Sequence, residues 1–183
     1  MKTAKQDSGW SKERIAALAE ISRIITSTPT IEEVYHLFAQ EVRRIISFDR
    51  IAINLVNLET RMVSSQFVAG LPVGCRQPGD EFPMAGSATS LAVESMKGVL
   101  IPALADEELS ARLPGHHPVR QAGLKTTLMA PLISKGRAFG ALVLMSATPH
   151  QYTEKDIATV ENVAAHISGA IANALLLAEQ RRM

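Results

Sequence analysis

LMAPLISKGRAFGALVLMS, residues 128–146, is the stretch on which the fold turns. Two apolar runs flank a four-residue polar break, Ser134-Lys135-Gly136-Arg137. Apolar runs of this length around a short glycine-containing break read as a β-hairpin, which predicts strands over 126–133 and 137–146 from the middle of a sheet. One face of such a hairpin packs on helices and the other floors a cavity.

Working outward, residues 11–27 place Ile15, Leu18, Ile21, Ser22 and Ile25 on or near one helical face, and Pro29 ends or separates that helix. Thr30 and Glu33 form a capping box ahead of Ile31, Val34, Leu37, Phe38, Val42, Ile45 and Ile46 at helical spacing. From Arg50 the period changes, and strands are expected at about 50–58 and 61–69. GLPVGCRQPGDEFP, 70–83, is dense in Gly and Pro and reads as a loop. Ser87–Lys97 reads as a short helix closed by Gly98, and VLIPAL, 99–104, as a strand. In 105–124, Asp106 caps a short helical turn that Pro114-Gly115 breaks, and a second turn has His117 at its cap, Pro118 in its first turn and Gly123 at its end. Thr153 and Asp156 open a long final helix. The order α-α-β-β-(α)-β-(α)-β-β-α predicts an α+β domain. It has an antiparallel sheet of five or six strands, terminal helices on one face, and residues 71–124 roofing a pocket on the other.

The chain has 183 residues, enough for one domain with a substantial core. A net charge of +1, from 19 basic and 18 acidic residues, predicts no broad electrostatic footprint for nucleic acid or an anionic membrane. A single cysteine, Cys75, excludes an intrachain disulfide and a multi-cysteine zinc site, and suits a reducing, cytoplasmic setting. The N-terminus has no apolar core of the kind a secretory signal needs, and residues 1–13 are expected to be flexible. Asn162–Ala178 is free of charge over 17 residues, but its apolar residues recur with a helical period. It reads as a buried helix face rather than a membrane span.

From about residue 14 to 178 the chain resembles a GAF domain. The resemblance is carried in order by ITSTPTIEEVYHLFAQEVRRIISFDRIAINLVN, AGSATSLAVESMKGVLIPALAD, TTLMAPLISKGRAFGALVLMSATPHQYTEKD and IATVENVAAHISGAIANALLLAE. Its most specific part is apolar-x-Pro-Leu, a turn, Gly-x-Leu, a strand, x-Tyr-Thr and a long helix. The resemblance implies an antiparallel sheet with a small-molecule pocket, set within a larger signalling protein, most commonly a sensor histidine kinase of a two-component system. It also implies pairing of domains through their terminal helices.

The final helix supports such pairing independently. Ile157, Val160, Ala164, Ile167, Ile171, Ala174 and Ala178 follow alternating spacings of three and four, a heptad seam suited to a homodimer interface. Val163, Ala170 and Leu177 add a second stripe, and packing of the helix on its own sheet alone is the simpler reading. The chain ends in AEQRRM without a stop signal, so 179–183 read as a truncated linker to an output domain.

No residue constellation points to catalysis. His116 and His117 lie in the expected roof, where either is a candidate haem ligand, though a surface-loop histidine is the commoner case. Bilin-binding GAF domains attach the chromophore through a cysteine followed by histidine, whereas Cys75 precedes Arg76 and falls too early. The cyclic-nucleotide constellation of some GAF domains is absent, and one cysteine does not suit the GAF-fold reductase of free methionine sulfoxide. Acidic neighbours such as Glu32/Glu33 do not share a helix face. Roof position and strand alternation nominate Ser65, Phe67, Phe82, Ser87, Ser90, His117, Thr127 and Met129 as ligand-binding candidates. The reading is a non-catalytic domain that senses an unknown small molecule, with haem or a small organic ligand as the cofactor candidates and no metal site. The alternatives are a ligand-free dimerisation or protein-interaction module and a haem-binding redox or gas sensor.

Overall fold

The computed structural model describes residues 11–27 and 30–183. Residues 1–10 of the segment expected to be flexible, and the helix-ending Pro29, lie outside the described residues. Two helices come first, α1 (Lys12–Ser27) and α2 (Ile31–Ile45). Thr30 Oγ1 accepts the Glu33 N–H at 3.3 Å, which is the Thr30 half of the expected capping box. Ala17, Ile21 and Ile24 are the buried residues of α1, while Ile15 is 56% exposed and stands off the face assigned to it.

Six strands follow: β1 (Arg50–Asn57), β2 (Met62–Gly70), β3 (Glu81–Pro83), β4 (Val99–Ile101), β5 (Thr126–Ser134) and β6 (Arg137–Ser146). They form one sheet in the order β3-β2-β1-β6-β5-β4, antiparallel at every junction. The hairpin at 126–146 lies inside the sheet, as its apolar runs require. Gly140 lets β6 approach β1, because a Cβ there would stand 2.2 Å from the Asn54 carbonyl oxygen. Two expectations for the edges are corrected. The 70–83 loop contains β3, which pairs Val63 with Phe82. The strand expected over 99–104 stops at Ile101, before Pro102, which has no N–H to donate.

Residue alternation divides the two faces. Ile51, Ile53, Leu55, Leu128, Ala130, Leu132, Leu142 and Leu144 join α1, α2 and the last helix, α6 (Glu154–Arg182), in the main core. Ala52, Met129, Ala141, Val143 and Met145 face the other way. They are covered by α3 (Ala88–Ser95), α4 (Asp106–Arg112), a 3-10 turn at Pro114–His116 and α5 (His117–Gln121). The Thr153 N–H donates to Asp156 Oδ2 at 2.8 Å and starts α6. Buried Tyr152 donates its hydroxyl to the Ser47 carbonyl at 2.9 Å, tying that start to the end of α2.

The heptad seam of α6 is corrected as an interface. Val160, Ala164, Ile167 and Ile171 are fully buried within the domain's own core, so they are not available to a second chain. Ile157 is half-buried against the same core. Ala174 is half-buried, Ala178 is exposed, and Leu175, Leu176 and Leu177 are exposed beside them. By length and composition α6 is apolar enough to cross a membrane, but its Val160–Ile171 stretch lies on the sheet.

Candidate functional site

A cavity opens between the sheet face opposite the terminal helices and the irregular roof. Arg50, Ala52 and Asn54 of β1, Ser65 of β2, and Val143 and Met145 of β6 form its floor. Arg76 and Phe82 wall one side. Ser87, Ala88 and Thr89 at the start of α3 close the roof with Gly115, His116 and Val119. The interior holds about 30 Å³, and about 410 Å³ of empty space is counted when the open mouth is included. The smaller figure measures the chamber itself, with room for roughly two or three waters.

Several of its polar side chains are bound to one another. Asn54 Nδ2 donates to Thr89 Oγ1 at 3.1 Å, and Asn54 Oδ1 accepts from Ser65 Oγ at 3.3 Å, linking β1, β2 and α3 across the floor. His116 is buried, with Nε2 3.1 Å from Thr127 Oγ1. Burial, and secondarily Arg76, Arg120 and His117, push its pKa down to about 4, so it is neutral near pH 7. The Arg50 side chain is only 1% exposed. Its Nη1 donates to the Leu71 carbonyl at 2.7 Å and its Nη2 to that of Arg76, which pins the loop after β2 onto the sheet. Its Nε has no partner. Burial first, and the Arg76 charge second, lower its pKa to about 10. The Arg76 guanidinium lies 3.6 Å over the Phe82 ring centre and donates to the Gly115 carbonyl at 2.9 Å. Gly115 packs against Gly86, which has a φ of +72° and accepts the Gly115 N–H at 3.0 Å; a Cβ on Gly115 would stand 2.9 Å from the Gly86 oxygen.

The sequence-derived candidates divide around this geometry. Ser65, Phe82 and Ser87 line the cavity. Ser90 does not; its N–H and hydroxyl bond back to Ser87 and cap α3. Thr127 lies behind His116 and orients its ring, and Met129 is buried in the layer beside the cavity. Phe67 is a correction. A β-bulge shifts the register between Ile53↔Phe67 and Asn54↔Ser65, so Ser65 and Phe67 take opposite faces despite their matching parity. Phe67 packs with Tyr35 and His36 of α2, at ring-centre distances of 5.5 and 5.1 Å. His117 is the other correction. The 3-10 turn makes His116 the cap of α5 and turns it inward, whereas His117 is half-buried with Nε2 2.7 Å from the Ser110 hydroxyl.

Arg50, Asn54, Arg76 and Val119 were not among the candidates. Arg50 and Asn54 carried a signal: two polar residues of equal parity with Ala52 in an apolar strand. Arg76, in a Gly/Pro loop, carried none. Haem does not fit beside His116, because the chamber is far smaller than such a group and the imidazole Nε2 is engaged by Thr127. Exposed Cys75 lies outside the chamber, in a shallow groove with Pro72 and Pro118. Among the described residues no cluster of three His, Cys, Asp or Glu side chains is placed to hold a metal.

The GAF domain family model matches residues 30–171, most of the chain. The chain belongs to the GAF domain family. No curated protein matches its sequence. The fold is similar to the GAF domain of an Acinetobacter phosphoenolpyruvate-protein phosphotransferase, at 16% identity, with a TM-score of 0.73 and 93% and 99% of the two chains covered. It is similar to the GAF domain of a two-component sensor histidine kinase from Bacillus halodurans, at 17% identity, TM-score 0.69 and coverage of 81% and 98%. It is also similar to the free methionine-R-sulfoxide reductase of Neisseria meningitidis, solved with its substrate, at 13% identity, TM-score 0.70 and coverage of 93% and 96%.

Proposed function

We propose that this GAF domain is a non-catalytic, cytoplasmic sensing module of a larger signal-transduction protein, by analogy a sensor histidine kinase, and that its ligand enters the chamber under α3. The observation that carries the reading is a chamber lined by polar and apolar residues in equal measure, closed over the sheet by loops and short helices. Such a site binds and orients a small molecule, and no nucleophile–base pair faces it.

The roof has a physical route to the output helix. Just beyond the C-terminal end of α3, the Gly98 N–H donates to Glu161 Oε1 of α6 at 2.6 Å. A ligand that moves the start of α3 therefore acts on a rigid element whose far end touches α6. The test is native mass spectrometry of the purified protein, followed by a denaturing run. A non-covalent mass lost on denaturation supports the sensor. A bare chain, with no metabolite raising its melting temperature, supports the alternative of a ligand-free dimerisation module, which the small chamber and exposed Leu175–Leu177 favour.

A further inference from the structure

The geometry points to a small oxyanion, a carboxylate or phosphate group, as the ligand feature recognised in this chamber, held by Arg50 and Arg76 and by the first-turn N–H groups of α3. This inference rests on the chamber being the sensing site. Two guanidinium groups line it, and no Asp or Glu does. Neither arginine forms a salt bridge among the described residues. Asp80 is the acid that acts on Arg76, but its Oδ2 is taken by the Gln77 N–H at 2.7 Å. A fully buried guanidinium is costly unless its charge is compensated. Arg50 spends two donors on backbone carbonyls and leaves its Nε without an acceptor. An anion would supply both the acceptor for Nε and the compensating charge.

The roof supplies the complementary half. Ala88 and Thr89 occupy the first turn of α3, where N–H groups have no intrahelical acceptor and the helix dipole favours negative charge. Both line the same chamber as the arginines. Burial and mutual repulsion lower the proton affinity of Arg50 and desolvation lowers that of Arg76, so a bound anion relieves both. The chamber volume admits an oxyanion head and few further atoms, with Phe82 and Val119 against any apolar remainder.

The test follows the arginine Nε–H and backbone amide NMR signals of the intact protein while acetate, isobutyrate or inorganic phosphate is added, with chloride at matched ionic strength as control. The expected result is a saturable shift confined to Arg50 Nε–H, Arg76 Nε–H and the amides of Ala88 and Thr89. Saturation by the carboxylates alone, or by phosphate alone, identifies the source of the oxyanion. Arg76→Gln should weaken the apparent Kd tenfold or more while the remaining spectrum stays in place. Arg50→Lys, which keeps the buried charge, serves as a second variant, with the Arg76 Nε–H and the Ala88 and Thr89 amide signals shifting at higher concentration. Non-saturating shifts, shifts equal to those from chloride, or saturation unchanged in both variants overturn the inference. A neutral or cationic ligand found by mass spectrometry overturns it too, but leaves the sensor reading intact; no ligand and no anion binding removes both.

Discussion

Lowering the pH from 7 to 4 sets the two states of His116 against each other. The unfolded chain takes up a proton near pH 6.5, whereas the folded chain, with His116 buried and facing Arg76, Arg120 and His117, refuses it until about 4. The unfolded state therefore binds more protons in this window, and stability falls as pH falls from 6.5 to 4. At about 1.4 kcal/mol per pH unit the loss from this residue is about 3 kcal/mol. His116→Gln retains a partner for Thr127 and removes the titration. Urea unfolding at pH 7 and pH 4 should show that the variant loses about 3 kcal/mol less than the natural protein. Equal losses in both proteins would mean that the His116 site opens to water. The same residue shows what a sequence withholds. His116 and His117 are indistinguishable as letters, and only the one-residue placement of a 3-10 turn sends the first inward. Phe67 teaches the same lesson, because nothing in VSSQFVA marks the bulge that reverses its face.

At the scale of elements, the 126–146 hairpin was legible because its apolar runs are long and its break is short. β3 was not, since three residues inside a Gly/Pro loop have no period to read. Within the hairpin, Gly140 is the point of closest approach to β1. Gly140→Ala sets a methyl against the Asn54 carbonyl, which is backbone and cannot swing aside. The expected cost is about 1–3 kcal/mol of unfolding free energy in a denaturant titration, with amide shifts spreading to Asn54 and Thr89 across their hydrogen bond. A variant as stable as the natural chain would show that β1 and β6 separate freely there. On α6 the seam was legible as a period but not as a partner. An i, i+3, i+4 stripe looks the same whether it meets a sheet or a second helix. Ile167→Ala, in the core, should cost about 2–5 kcal/mol. Leu176→Ala, at 48% exposure, should change stability by less than about 0.5 kcal/mol. Comparable losses at both sites would contradict the division of α6 into a core half and a free half.

At the scale of the whole molecule, that division relocates the proposed homodimer contact. The core half of α6 is spent on the domain's own sheet, so a homodimer would have to pair through its C-terminal part. Leu175, Leu176 and Leu177 are 38–55% exposed there, next to Ala174 and Ala178, whose small side chains let another helix come close. Three consecutive leucines cover more than half of the helix circumference, which exceeds what one domain's surface can hide. A second copy presenting the same stripe would cover it symmetrically. Leu176→Glu combined with Leu177→Glu should turn a dimer into a monomer in sedimentation velocity. The melting temperature measured in dilute, already dissociated samples should stay within a degree or two, because neither side chain enters the core. If the natural chain already sediments as a monomer well above micromolar concentration, the helix does not pair by itself. Transmission through α6 would then have to act within one chain, through the Gly98–Glu161 contact. If the double variant remains a dimer, pairing lies elsewhere, and exposed Ile15 on α1 is the next surface to substitute.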